Sequence, residues 1–225
     1  MTLFDAAERL AALDRSQVTL DAARCLHTQD RFAACQRCYA VCPVHAITPG
    51  KPPTLDTAAC QSCLACLPIC PTGACQADDD VQSLLSCITH VEGKAIELLC
   101  GLHPSPEIGE HTDQLGIRIR GCLAGLGAGA YLALAALGQE QITLRLDACP
   151  DCPWQALSEI VRQHAEQANA ILAAWGSESS LVLEIGQGTK LERPFWNAKN
   201  PPLSRRDLFR MIGRQGQVAL ARTLE

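Results

Sequence analysis

The first apolar pattern in the chain is Leu10 and Leu13, at helical spacing behind the capping-box-like Thr2-Leu3-Phe4-Asp5; it predicts a short amphipathic helix within 1–17. After the acidic patch Asp78-Asp79-Asp80 helical spacing returns. Leu84, Leu85 and Ile88 predict a connecting helix from Val81 to Val91, within a linker over 81–94. Beyond it, short apolar runs alternate with longer helical ones. Ala95-Ile96-Glu97-Leu98-Leu99, Ile117-Arg118-Ile119-Arg120, Ile142-Thr143-Leu144-Arg145-Leu146 and Leu181-Val182-Leu183-Glu184-Ile185 read as strands. A Gly- and Ala-rich helix is expected from about Gly125 to Leu137, and a longer one from Trp154 to Trp175. This alternation argues a small α/β domain over 95–187 with a mainly parallel sheet wrapped by helices.

The pattern breaks again from Gly186. Pro194, Pro201 and Pro202 predict an extended tail over 188–225, in which Ser204 and Asp207 form an N-cap box. The helix that follows, within 203–222, has Arg210 and Arg214 beside Leu208, Met211 and Ile212. It is amphipathic and basic, suited to docking on a partner subunit or on its own domain. Ser204-Arg205-Arg206-Asp207-Leu208-Phe209 resembles a twin-arginine export motif, but no apolar stretch follows it. No apolar run reaches the ~20 residues of a membrane span. The longest, Leu123 to Leu137, is interrupted by Gly125, Gly127 and Gly129 and reads as a buried helix.

Composition changes this picture in one respect. A chain of 225 residues has room for one or two domains, and 48% hydrophobic residues suffice for a core although aromatics are only 4%. The net charge of −5 argues against general nucleic-acid binding. Fourteen cysteines are the unusual feature. Without a signal-peptide pattern after Met1, clustered cysteines read as metal ligands in a cytoplasmic protein and not as disulfides.

Two of the cysteine runs repeat. Cys35-x2-Cys38-x3-Cys42-Pro43 overlays, 28 residues on, Cys63-x2-Cys66-x3-Cys70-Pro71, and the second run is led by Cys60. The complete run, C-x2-C-x2-C-x3-C-P, is the bacterial iron–sulfur pattern, in which three thiolates hold one cluster and the fourth ligates its neighbour. The same shift carries Phe32 onto Cys60, so the first run lacks its leading ligand. The nearest upstream thiol is Cys25, and closing a loop of that length adds little entropy cost. On this pattern Cys25, Cys35, Cys38 and Cys70 hold one [4Fe-4S] cluster, and Cys42, Cys60, Cys63 and Cys66 hold a second. A zinc-ribbon pair has no use for the third and fourth thiols plus Pro. His27 is an alternative to Cys25, whereas Cys75 overlays Ile47 and reads as a buried thiol. Cys87, beside Leu84 and Ile88, reads the same way.

Residues from about Val18 to Ala77 therefore resemble a bacterial two-cluster ferredoxin. The resemblance implies a dicluster ferredoxin-like α+β domain over 18–80, pseudo-twofold, with a hairpin and a short helix from each half. It implies lead-in strands at Val18–Asp21 and Thr54–Asp56 and an exit strand at Ala46–Thr48. The insertion Leu26–Ala34 departs from that family.

Four further cysteines follow predicted strands: Cys100 after the first, Cys122 after the second, Cys149 and Cys152 after the third. In open α/β sheets the carboxyl ends of parallel strands share one crevice, so the four thiols converge there, suiting a [2Fe-2S] cluster or a zinc ion. Leu98-Leu99-Cys100, Ile119-Arg120-Gly121-Cys122 and Leu146-Asp147-Ala148-Cys149-Pro150-Asp151-Cys152 resemble the delta-subunit family of methyl-viologen-reducing hydrogenases. That family also accompanies heterodisulfide reductases and some formate dehydrogenases, and the resemblance implies a [2Fe-2S] electron relay within a larger complex. Here Gly101-Leu102-His103 follow Cys100 where the family often places a second cysteine.

Two other readings use the same residues. Cys149 and Cys152 alone form a C-x-x-C dithiol, which in a ferredoxin-fused thiol–disulfide reductase would reduce a disulfide. Gly125-x-Gly127-x-x-Ala130 resembles a dinucleotide fingerprint out of register with its strand; close helix–sheet packing is the simpler reading. The expectation is an iron–sulfur electron-transfer subunit of a larger oxidoreductase, with protein partners and no catalytic residues of its own.

Overall fold

The computed structural model describes residues 18–77, 80–91, 93–103, 115–185 and 195–199. The helix expected within 1–17 and the basic helix expected within 203–222 lie outside these residues. The described chain mixes helices with strands, and its largest sheet is wholly parallel.

The first half holds β1 (Thr19–Leu20), α1 (Leu26–Gln29), α2 (Arg37–Val41), β2 (Ile47–Thr48), β3 (Thr54–Leu55), α3 (Cys66–Ile69) and β4 (Cys75–Gln76). The elements are short because a turn former or a thiol intervenes every few residues. The 28-residue shift seen in the sequence carries β2 onto β4 and most of α2 onto α3. Neither two-stranded sheet belongs to one repeat: β1 pairs antiparallel with β4, and β2 pairs antiparallel with β3. Each sheet thus joins one repeat's lead-in strand to the other's exit strand. Val18, Ile47, Leu64, Cys66 and Cys75 form a small core between them.

After α4 (Asp80–Ile88), the second half contains β5 (Ala95–Leu99), β6 (Leu115–Arg118), α5 (Gly127–Ala136), β7 (Gln141–Arg145), α6 (Leu157–Ala174), β8 (Ser180–Glu184) and β9 (Phe195–Asn197). The strands order as β8-β7-β5-β6-β9. β5 lies at the centre, and Ile96, Leu98 and Leu99 on it are fully buried, as the near-continuous apolar run of a two-sided parallel strand requires. α6 turns Leu157, Val161, Ala165, Ala168 and Leu172 inward, a stripe at helical spacing. Each large apolar side chain so buried contributes about 1.5–3 kcal/mol. β6 begins and ends two residues before the stretch expected from sequence. β9 falls within the segment expected to be an extended tail; it adds a fifth strand, parallel to β6.

The halves pack directly together. Ala65 and Cys63 join the core of the second half. Gly125 and Gly127 face the first half: a Cβ on Gly125 would come 2.7 Å from Leu64 Cβ, and one on Gly127 would come 2.5 Å from Pro68 Cβ. Gly127 also adopts φ +69°, where a side chain is strained. These glycines therefore permit close approach, but not of helix to sheet as the sequence reading had it. What approaches is the Cys63–Pro68 segment.

Candidate metal-cluster sites

All fourteen cysteines are free thiols. Thirteen of them line three separate hollows: each hollow has one of the ligand sets expected from sequence, and the first has Cys75 as a fifth thiol.

The first hollow is lined by Cys25, Cys35, Cys38 and Cys70, with Leu20 and Pro53 among its apolar walls. The second is lined by Cys42, Cys60, Cys63 and Cys66, with Val18, Val44 and Leu55. The exchange is that of the repeat: Cys70 leaves its own run for the first hollow, and Cys42 leaves its own for the second. Local backbone geometry explains this. Cys42-Pro43-Val44-His45 and Cys70-Pro71-Thr72-Gly73 each form a turn, with the fourth N–H donating to the first carbonyl at 3.3 and 3.4 Å. Proline suits the second position of such a turn. The fourth residues, His45 at φ 53° and Gly73 at φ 64°, are both left-handed. This aims the next amide back at the thiol: Ala46 N–H donates to Cys42 Sγ at 3.3 Å, and Ala74 N–H to Cys70 Sγ at 3.2 Å. In the second run Ser62 and Leu64 also adopt positive φ, 56° and 64°, a strained pairing for non-glycine residues beside Cys63.

Burial opposes ionisation of Cys70, but the amides of Cys75, Thr72 and Ala74 together with the Thr72 hydroxyl outweigh it and lower the thiol's pKa. A hydrogen bond with Cys75, followed by burial, raises Cys38. Burial likewise raises Cys63. Thiolates, not thiols, bind metal, so loading these sites releases protons.

His27 lines the first hollow beside Cys25. Its Nε2 lies 2.7 Å from the Cys35 carbonyl, which only accepts, so Nε2 carries the proton. Its Nδ1 is buried without a hydrogen-bond partner. Cys75 is buried in the small core, as expected from its overlay with Ile47, yet it also lines the first hollow, where it hydrogen-bonds with Cys38. Cys87 is fully buried on α4, and burial pushes it up to about 11.

The third hollow is larger, with a volume of about 430 Å³, and lies at the carboxyl ends of β5, β6 and β7. Cys100, Cys122, Cys149 and Cys152 all line it. Because those three strands are adjacent and parallel, residues just beyond their ends meet at one edge. Burial pushes Cys122 up to about 12 and Cys149 to about 11, and raises Cys100. Trp154 N–H donates to Cys152 Sγ at 3.4 Å. α6 begins only at Leu157, so the Cys149–Cys152 pair sits in the preceding turns and not at the helix N-terminus.

A charged network, which sequence reasoning missed, supports the wall of this hollow. Arg145 donates to Asp147 Oδ1 and Oδ2 at 3.0 and 2.9 Å and to Glu97 Oε2 at 3.3 Å. His103 Nε2 lies 3.3 Å from both Asp147 oxygens, and Arg118 donates to the His103 carbonyl at 2.9 Å. The available signal was the charged Glu97 and Arg145 inside otherwise apolar strands.

Among the described residues no three His, Cys, Asp or Glu side chains gather tightly enough to hold a single metal ion. No helix of the described residues is long and apolar enough to cross a membrane. The chain matches no protein-family model, no curated protein and no solved structure.

Proposed function

We propose that this protein is an iron–sulfur electron carrier, acting in the cytoplasm as a subunit of a larger oxidoreductase. In this reading Cys25, Cys35, Cys38 and Cys70 hold one [4Fe-4S] cluster, and Cys42, Cys60, Cys63 and Cys66 hold another, in a dicluster ferredoxin-like domain. Cys100, Cys122, Cys149 and Cys152 hold a smaller [2Fe-2S] centre. When bound, such clusters accept and release single electrons.

One observation carries the reading: each of three hollows is lined by the four thiols of one expected set, the first by Cys75 besides. The chemistry of the donors agrees with it. Ala46 and Ala74 N–H groups point at the Cys42 and Cys70 sulfurs, and at Cys70 the surrounding amides and the Thr72 hydroxyl favour the thiolate form. Such N–H···S bonds and the apolar walls are the levers by which a protein tunes a cluster's potential. No catalytic residue is assigned.

A thiol–disulfide reductase built on Cys149 and Cys152 fits less well. Reactive dithiols sit at helix N-termini with lowered pKa values; here the pair precedes the helix and burial raises Cys149.

The test is anaerobic purification with iron and sulfide quantitation and EPR. About ten irons per chain support all three sites, and about eight support the two cubanes alone. A colourless protein containing zinc refutes the proposal.

A further inference from the structure

We propose that the Cys63–Cys122 contact is the electron junction between the two halves, so that the Cys42/Cys60/Cys63/Cys66 site is the middle station of a linear relay. The Cys25/Cys35/Cys38/Cys70 site is then the outer station and the four-cysteine site of the parallel sheet the far one. This inference rests on the iron–sulfur reading above and adds an order to it.

Five contacts place the middle site against the sheet edge. Cys122 N–H donates to the Cys63 carbonyl at 3.4 Å, linking a ligand of one site to a ligand of the next through a single hydrogen bond. Trp154 Nε1 donates to Gln61 Oε1 at 2.6 Å, tying the residue between Cys60 and Cys63 to the turn after Cys152. Gly125 admits Leu64 where a Cβ would collide, and Gly127 admits Pro68. Cys63 also packs against the core of the second half, together with Cys122 and Cys149.

Among the described residues, no ligand of the outer site hydrogen-bonds to the second half, although the linings of the outer and middle sites alike come wholly from the first half. The outer site meets the middle site inside the small core, where Cys38 and Cys66 pack around Cys75. The order is therefore outer, middle, far.

Each transfer moves one electron and makes or breaks no bond. A one-electron donor at one end of the relay supplies it, and a one-electron acceptor at the other end takes it up.

The full chain, loaded with iron and sulfide under anaerobic conditions and reduced with dithionite, tests this by EPR power saturation. A reduced cubane relaxes a neighbouring centre through space, and the effect falls steeply with distance. The far centre's signal is expected to saturate less readily once the cubanes are reduced. That easing persists in Cys35→Ser, which removes the outer cluster, and is lost in Cys60→Ser, which removes the middle one. The reverse pattern overturns the inference. Gly125→Val keeps all twelve ligands while pushing Leu64 away from the sheet edge; it is expected to retain its iron and weaken the easing. Unchanged saturation at unchanged iron overturns the inference even where the cysteine variants fail to fold. About eight irons with no third signal overturns it and leaves the two-cubane reading intact; a zinc protein overturns both.

Discussion

Arg145→Met should destabilise the protein more than any surface change, because Arg145 is the hub of a buried network. Its side chain is only 3% exposed, and that of Glu97 is 7% exposed. It makes three hydrogen bonds to carboxylate oxygens, at 2.9, 3.0 and 3.3 Å. Methionine fills much of the volume but leaves Glu97 and Asp147 without their shared guanidinium. Removing one partner of a buried ion pair costs about 3–5 kcal/mol. His103 still faces Asp147, so the lower end, about 3 kcal/mol, is expected. For a chain of this size each kcal/mol moves Tm by about 2–4 °C, so the melt should fall by about 6–12 °C. The assay is thermal unfolding of the full chain, followed by circular dichroism. Replacing Glu97 with Leu in the same chain should restore part of the loss, since one stranded carboxylate is then gone. A drop below about 1 kcal/mol in Arg145→Met, or no recovery in the double variant, would refute the argument that the network is held by this guanidinium.

Three further outcomes follow from the sites. Cys25→Ser should lose about four irons, as Cys35→Ser does, whereas His27→Ala should keep them; iron quantitation and EPR decide which donor completes the first tetrad. Cys149→Ser should lose only about two irons and leave both cubane signals, while Cys87→Ser should lose none. His164 is buried on α6 with Nδ1 unpartnered, and burial lowers its pKa. The folded chain therefore resists the proton that the unfolded chain accepts at ~6.5. Stability should be complete above that pH and decline as pH falls through and below it, and His164→Gln should flatten that acid limb in denaturant titrations.

Much of the grouping of the thiols around the hollows was legible in the sequence because it is local: short Cys spacings and the following Pro are properties of a few adjacent residues. The parallel sheet was legible for a similar reason, as strands buried on both faces read as continuous apolar runs. β9 was not. Phe195-Trp196-Asn197 is too short to show a period, and its pairing with β6 is a long-range contact. The network of Glu97, Arg145, Asp147 and His103 was invisible as a network, because its members lie up to 50 residues apart in sequence and only adjacent strands bring them together.

Sequence alone determined how most of the cysteines group, since the repeat and the strand ends assign them to sets; that Cys75 also lines the first hollow only the fold shows. Tertiary structure alone decided how the groups stand to one another. Gly125 and Gly127 read from sequence as helix–sheet packing, and only the fold shows that Leu64 and Pro68 of the first half are what lies against them. The physical reason is that local spacing constrains only a single loop. The hydrogen bond from Cys122 to Cys63, 59 residues apart, exists only because burying two apolar surfaces against each other brings the halves into register.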